Sequence, residues 1–226
     1  MRKSRLLLGL VASTAWLVLS ASAAEPGTVP ERAAWTIEIF INGADRASSA
    51  TGPRRPVKIE STKTGKVKHD SILFSDGSRE DYWFAQGFAF SLNPDGKSAS
   101  ALEYSNLLVG ENESGASPAF PGLAWVKGKQ PAESLDRGGK QILHFLRESI
   151  PVGTPLLQAV TEVWIDPATG LPLEAITPVA THRYTHHNPP TTDLTIPPVF
   201  RQAVDQAVQR AARRETLSKA FESNGR

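Results

Sequence analysis

Cysteine is absent from all 226 residues. That absence excludes zinc ribbons, thiol nucleophiles, iron–sulfur sites and any disulfide scaffold. A small secreted eukaryotic domain usually carries disulfides, so a cysteine-free exported chain fits a Gram-negative periplasm better. It also excludes a lipid-anchored amino-terminal cysteine of the bacterial kind. Catalytic signatures are missing as well: there is no GxSxG elbow, HExxH pair, P-loop or GxGxxG turn. The chain is therefore expected to be non-enzymatic and to need no cofactor. Long apolar runs are scarce. The single one, Leu6 to Leu19, is about 14 residues, against about 20 for a membrane span. Arg2, Lys3 and Arg5 precede it and Ala21-Ser22-Ala23 follows, so residues 1–23 read as a cleavable signal peptide and the mature chain should have no transmembrane span. Asn112-Glu113-Ser114 fits a glycosylation acceptor, relevant only in a eukaryotic secretory pathway.

Charge excess is lacking too. Three of the 25 basic residues lie in the signal, which leaves 22 against 23 acidic ones. Net charge thus gives a nucleic-acid partner no support. The roughly 200 remaining residues are enough for one domain with a real core.

What is present is strand pattern and turn chemistry. Trp35, Ile37, Ile39 and Ile41 alternate with Thr36, Glu38 and Phe40, a period of two. PVKIESTK and VKHDSILFS flank Thr64-Gly65; VKHDSILFS and REDYWFAQ flank Ser75-Asp76-Gly77-Ser78; both read as hairpins. GFAFSL, LAWVKG, KQILHFLRES, PLLQAVTEVWID, LPLEAITP and ATHRYTHH follow as further strands. NPDG (93–96), GASPAFPG (115–122) and PAESLDRGG (131–139) read as connections between them. Spacing near ten residues predicts a mainly β, antiparallel domain over 24–196. KQILHFLRES places Leu143 and Phe145 on one face and Ile142 and Leu146 on the other, so both faces are expected to be covered, by curling of the sheet and by a helix.

The helix is predicted at 197–226 with its tail. Phe200, Val204, Ala207, Val208 and Ala211 form a stripe, opposite Arg201, Asp205, Gln209 and Arg213. From Phe200 onward six basic residues face three acidic ones. Docking on the sheet by the apolar stripe is the expectation, ahead of lying on an anionic membrane, for which the Ala-rich positions are weak.

Three carboxylates, Glu162, Asp166 and Glu174, crowd the segment EVWIDPATGLPLEAITP. Asp166-Pro167-Ala168-Thr169-Gly170 has the composition of a turn joining two strands, and no second catalytic group stands at a useful spacing, so Asp166 reads as a turn former rather than an acid or base. His182, His186 and His187 are the best metal candidates, with His182, Tyr184 and His186 on one strand face; the lack of a nearby acid at suitable spacing favours a polar strand end, and no metal ligand is assigned. Tyr82, Trp83, Phe84, Phe88 and Phe90 form an aromatic cluster that reads as core, or as the lining of an apolar groove.

On KQILHFLRES and EVWIDPATGLPLEAI, within residues 139–176, the chain resembles the LolA-like periplasmic outer-membrane lipoprotein carriers and sorting proteins, in which a Trp-x-Asp strand precedes a Leu-Pro pair. That resemblance implies an unclosed antiparallel half-barrel with helices on it, a lumen for acyl chains, and lipid or lipidated partners. It carries no ligand residue over. The expected groove lining is Tyr82, Phe84, Leu143, Phe145 and Trp164. The alternative is a structural or interaction module of the cell envelope that docks a protein partner, with a full core and an exposed apolar or edge surface.

Overall fold

The computed structural model describes residues 25–42, 54–86, 88–93, 95–102 and 119–224. The signal peptide, Asn112–Ser114 and residues 115–118 of the GASPAFPG connection lie outside the described residues. The eleven strands are β1 (Arg32–Ile41), β2 (Pro56–Thr64), β3 (Val67–Phe74), β4 (Arg79–Ala85), β5 (Phe88–Leu92), β6 (Ala99–Leu102), β7 (Glu133–Asp136), β8 (Gln141–Leu146), β9 (Glu162–Ile165), β10 (Pro172–Ile176) and β11 (Ala180–His187). Among the described residues one α-helix, α1 (Pro198–Asn224), follows. The strands form a single antiparallel sheet in the order β6-β5-β4-β3-β2-β1-β11-β10-β9-β8-β7. The sheet is mainly β, curved and not closed, as the strand pattern predicts. Ten spacings of about 4.8 Å make it roughly 48 Å wide, a width at which open sheets curl. No described helix is long and apolar enough to cross a membrane.

Local chemistry explains the hairpins. Gly65 and Gly77 sit at φ 55° and 81°, where an L side chain is strained. Asp76 Oδ1 accepts the Ser78 amide at 2.9 Å. In the turn after β9, Asp166 Oδ1 accepts the Ala168 amide at 2.8 Å, and the Gly170 amide returns to the Asp166 carbonyl at 2.8 Å. Asp166 is a turn former, as its sequence context indicates.

Three local expectations are corrected. LAWVKG is no strand: Ala124–Val126 form a short 3-10 turn, the Val126 amide closing on the Leu123 carbonyl at 3.0 Å. PLLQAVTEVWID contributes only Glu162–Ile165, because the Gln158 and Ala159 amides turn back onto the Pro155 carbonyl at 2.8 and 3.0 Å. PAESLDRGG contains an edge strand, β7, that reads as loop because its residues are polar and solvent-facing. Polarity marks an edge as readily as a turn.

Register sorts the side chains into two faces. Trp35, Ile37 and Ile39 share one face with Ile59, Ser61 and Lys63 of β2, Lys68 and Asp70 of β3, Tyr82 and Phe84 of β4, and His182, Tyr184 and His186 of β11. Here the chain segment around Phe120, Leu123 and Val126 lies over β1, β11 and β8–β10, burying Trp35, Phe145, Val163, Ile165 and Ala175. On the opposite face, at the other end, α1 packs Phe200, Ala203, Val204 and Ala207 onto Trp83, Ala85 and Phe90. Both faces are covered, but at opposite ends. The aromatic cluster is accordingly divided, Tyr82 and Phe84 to one face, Trp83, Phe88 and Phe90 to the other. Of the expected stripe, Phe200, Val204 and Ala207 are buried and Val208 is exposed; Ala203 takes its place, giving intervals of three and four.

Candidate functional site

A cleft opens on the first face at the seam between β1 and β11. Its floor follows from alternation on two strands. Ile37 and Ile39 point the same way because they are two apart, and the register sets Ile59 and Tyr184 on either side of Ile37 and His182 opposite Ile39. Pro121, Leu157 and Gln158 form the walls. The empty space is about 350 Å³, part of it open to solvent. Its enclosed part is only about 30 Å³, room for one or two water-sized groups, and the rest is open to solvent.

Both walls are held by one glycine. Gly122 has φ 73°, and a Cβ built on it would stand 2.7 Å from the Gln158 carbonyl oxygen and 2.9 Å from Val160 Cγ2. Only glycine lets the two segments meet so closely. Behind the cleft, Phe120 makes edge contacts with Trp35 (5.2 Å), Tyr184 (5.9 Å) and His186 (5.8 Å), which fix the Tyr184 ring from below.

His182 is the unusual member. It is buried, its Nε2 meets no hydrogen-bond partner among the described residues, and burial pushes its pKa down to about 4. The ring is therefore neutral at pH 7 and holds an unmet polar atom against isoleucines. His186 donates Nε2–H to the Pro172 carbonyl at 2.7 Å and is also pushed down, chiefly by burial. His187 points to the other face, where its Nε2 lies 2.9 Å from Thr36 Oγ1. The three histidines do not converge, and no group of three potential metal-ligating side chains exists among the described residues.

The five groove residues expected from sequence are not brought together. Tyr82 and Phe84 lie on β4, Leu143 and Phe145 on β8, on the same face but at opposite ends of the sheet. Phe84 lies under Lys68 Nζ at 4.1 Å, and the Tyr82 hydroxyl donates to Glu80, which with burial pushes the phenol pKa up. Phe145 is packed in the core beside Leu143. Trp164 is on the opposite face, stacked at 4.5 Å on His144, whose ring nitrogens face Glu133 at 2.8 Å and Glu162 at 3.3 Å. None of the five lines the cleft. Sequence reasoning placed His182 and Tyr184 on one strand face but missed Ile37, Ile39 and Ile59 as their neighbours; nothing local in the chain announces a pairing between strands about 150 residues apart (Thr36 and His187 differ by 151).

No protein-family model matches the chain, and no curated protein matches it.

Proposed function

We propose that this chain is an exported, non-enzymatic periplasmic protein that binds or carries a lipid or a lipoprotein acyl chain, the cleft at the β1–β11 seam receiving the apolar end. The cleft carries the reading: five apolar residues and three polar ones around about 350 Å³, with a buried histidine atom left to be satisfied, match the composition of small-molecule sites. Its enclosed part holds only a small group, so the rest of a bound chain would lie along the open part of the cleft. The test is native mass spectrometry of residues 24–226 recovered from a periplasm, beside lipid extraction and titration with decanol, methyl decanoate and decanoic acid. Stoichiometric uptake of any of them, lost when Ile59→Trp fills the floor, is the expected result. A clean apo mass with no uptake of all three ends the carrier reading.

A second reading, the envelope interaction module, is favoured by the turn between β8 and β9. Thr154 closes onto the Pro151 carbonyl at 3.2 Å through its amide, and this tight turn leaves Val152 fully exposed, with Leu156 also in solvent. These two side chains are the apolar groups that this turn offers to a partner. Val152→Ser with Leu156→Ser should weaken capture of a cross-linked envelope partner if that reading holds and leave ligand uptake unchanged.

A further inference from the structure

The cleft also limits what its ligand can carry. We infer that the group reaching His182 is uncharged and hydrogen-bonding, a hydroxyl or an ester or amide oxygen, and that the cleft rejects a carboxylate. This rests on the cleft being the binding site, and it specifies the ligand's polar end.

The argument is one of desolvation. Among the described residues no charged side chain lines the cleft; its floor beside His182 is Ile37, Ile39 and Ile59. An ion placed there would lose its water without meeting a counter-charge, which costs far more than burying a neutral polar group. Among the described residues, the nearby groups able to carry positive charge on this face are already committed. His186 donates to the Pro172 carbonyl, Lys68 is paired with Asp70 at 2.9 Å, and Lys63, two rows along β2 from Ile59, donates to the Pro30 carbonyl at 3.1 Å. On β10 the residue opposite His182 is Ala175, which offers nothing to a charge. Tyr184 completes the polar lining. His182 itself is neutral near pH 7, so its free Nε2 provides one uncharged hydrogen-bonding site and no attraction for an anion. A neutral partner relieves the unmet atom at no ionic cost.

Titration of the wild-type protein with decanol and with decanoic acid at pH 7.5 and 5.5 tests this. An acid with a pKa near 4.3 is neutral to roughly one part in a thousand at pH 7.5, so it should bind on the order of a hundredfold or more weaker than the alcohol and gain about tenfold per unit as pH falls. Decanol affinity should stay flat over that range. His182→Phe should retain decane uptake but lose the preference for decanol over decane that the wild type shows. Should that variant not fold, the 15N shift of His182 in the wild type reports the contact, moving with decanol and not with decane. Decanoate binding at pH 7.5 as tightly as decanol, or an unmoved His182 shift on decanol saturation, overturns the inference while the carrier reading stands. Failure of every probe to bind overturns both.

Discussion

His182 links the cleft to stability through its protons. Its pKa is about 4 in the fold and 6.5 when free, so the unfolded chain binds more protons between those values. Stability therefore falls as pH drops from about 6.5 toward 4, by about 3 kcal/mol for this group once fully expressed. Urea denaturation of wild type and His182→Leu followed across that window should show the slope in the former and a shallower one in the latter; His186, shifted the same way by burial, accounts for part of what remains. Identical slopes would show that His182 is not buried. Lys68 and Asp70 make a second residue-scale case. Their side chains are each only 10% exposed, and Asp70 Oδ1 has no partner among the described residues. Lys68→Met should cost about 3–5 kcal/mol, because it strands a buried carboxylate, while Lys68→Met with Asp70→Leu should recover most of that loss. A double-mutant cycle in urea decides it; equal losses for single and double variants would mean the pair is solvated.

At the scale of elements, the two coverings of the sheet are the vulnerable parts. Phe200 anchors α1 against Trp83 at 6.1 Å between ring centres. Phe200→Ala should lower stability by about 3–5 kcal/mol and raise binding of a hydrophobic dye, since Trp83 and Phe90 lose their cover. Unchanged dye binding would show that the helix is not the cover. Gly122→Ala is the corresponding change in the other covering: its Cβ would press on the Gln158 backbone, and we expect about 2–4 kcal/mol of destabilisation together with loss of ligand uptake, read by thermal melting with and without decanol. Elements whose cause is local were legible in the sequence. Thr64-Gly65, Ser75–Ser78 and Asp166–Gly170 turn where their own side chains and glycines dictate. LAWVKG was not, because alternation over a few apolar residues describes a 3-10 turn pressed into a core as well as it does a strand. The cleft was not, because its floor belongs to a pairing that no neighbouring residues encode. Trp164 illustrates the same limit: parity along β9 separates it from Val163, but only register tells which face holds the cavity.

At the scale of the whole molecule, the arms on either side of the β1–β11 seam behave differently. The β4–β6 end carries its cover, α1, on one face, whereas β1 and β8–β11 carry theirs on the other, so loss of α1 should loosen the first and spare the second. Hydrogen exchange on a chain ending at residue 197 should show protection lost in β4–β6 and kept in β8–β11; uniform loss would mean that the sheet opens as one unit.

The order of that sheet has a final consequence. Taken from β7 through β11 and on from β1 to β6, it is an unbroken up-and-down succession in which every strand lies beside its sequence neighbour, save that the chain is cut at the seam and tied across from β6 to β7. The molecule is thus a circular permutation of the simplest possible meander. The β1–β11 pairing joins residues about 150 apart in the chain (Thr36 and His187 differ by 151), so it must close the longest loop in the sheet and is expected to form after the hairpins on either side of it.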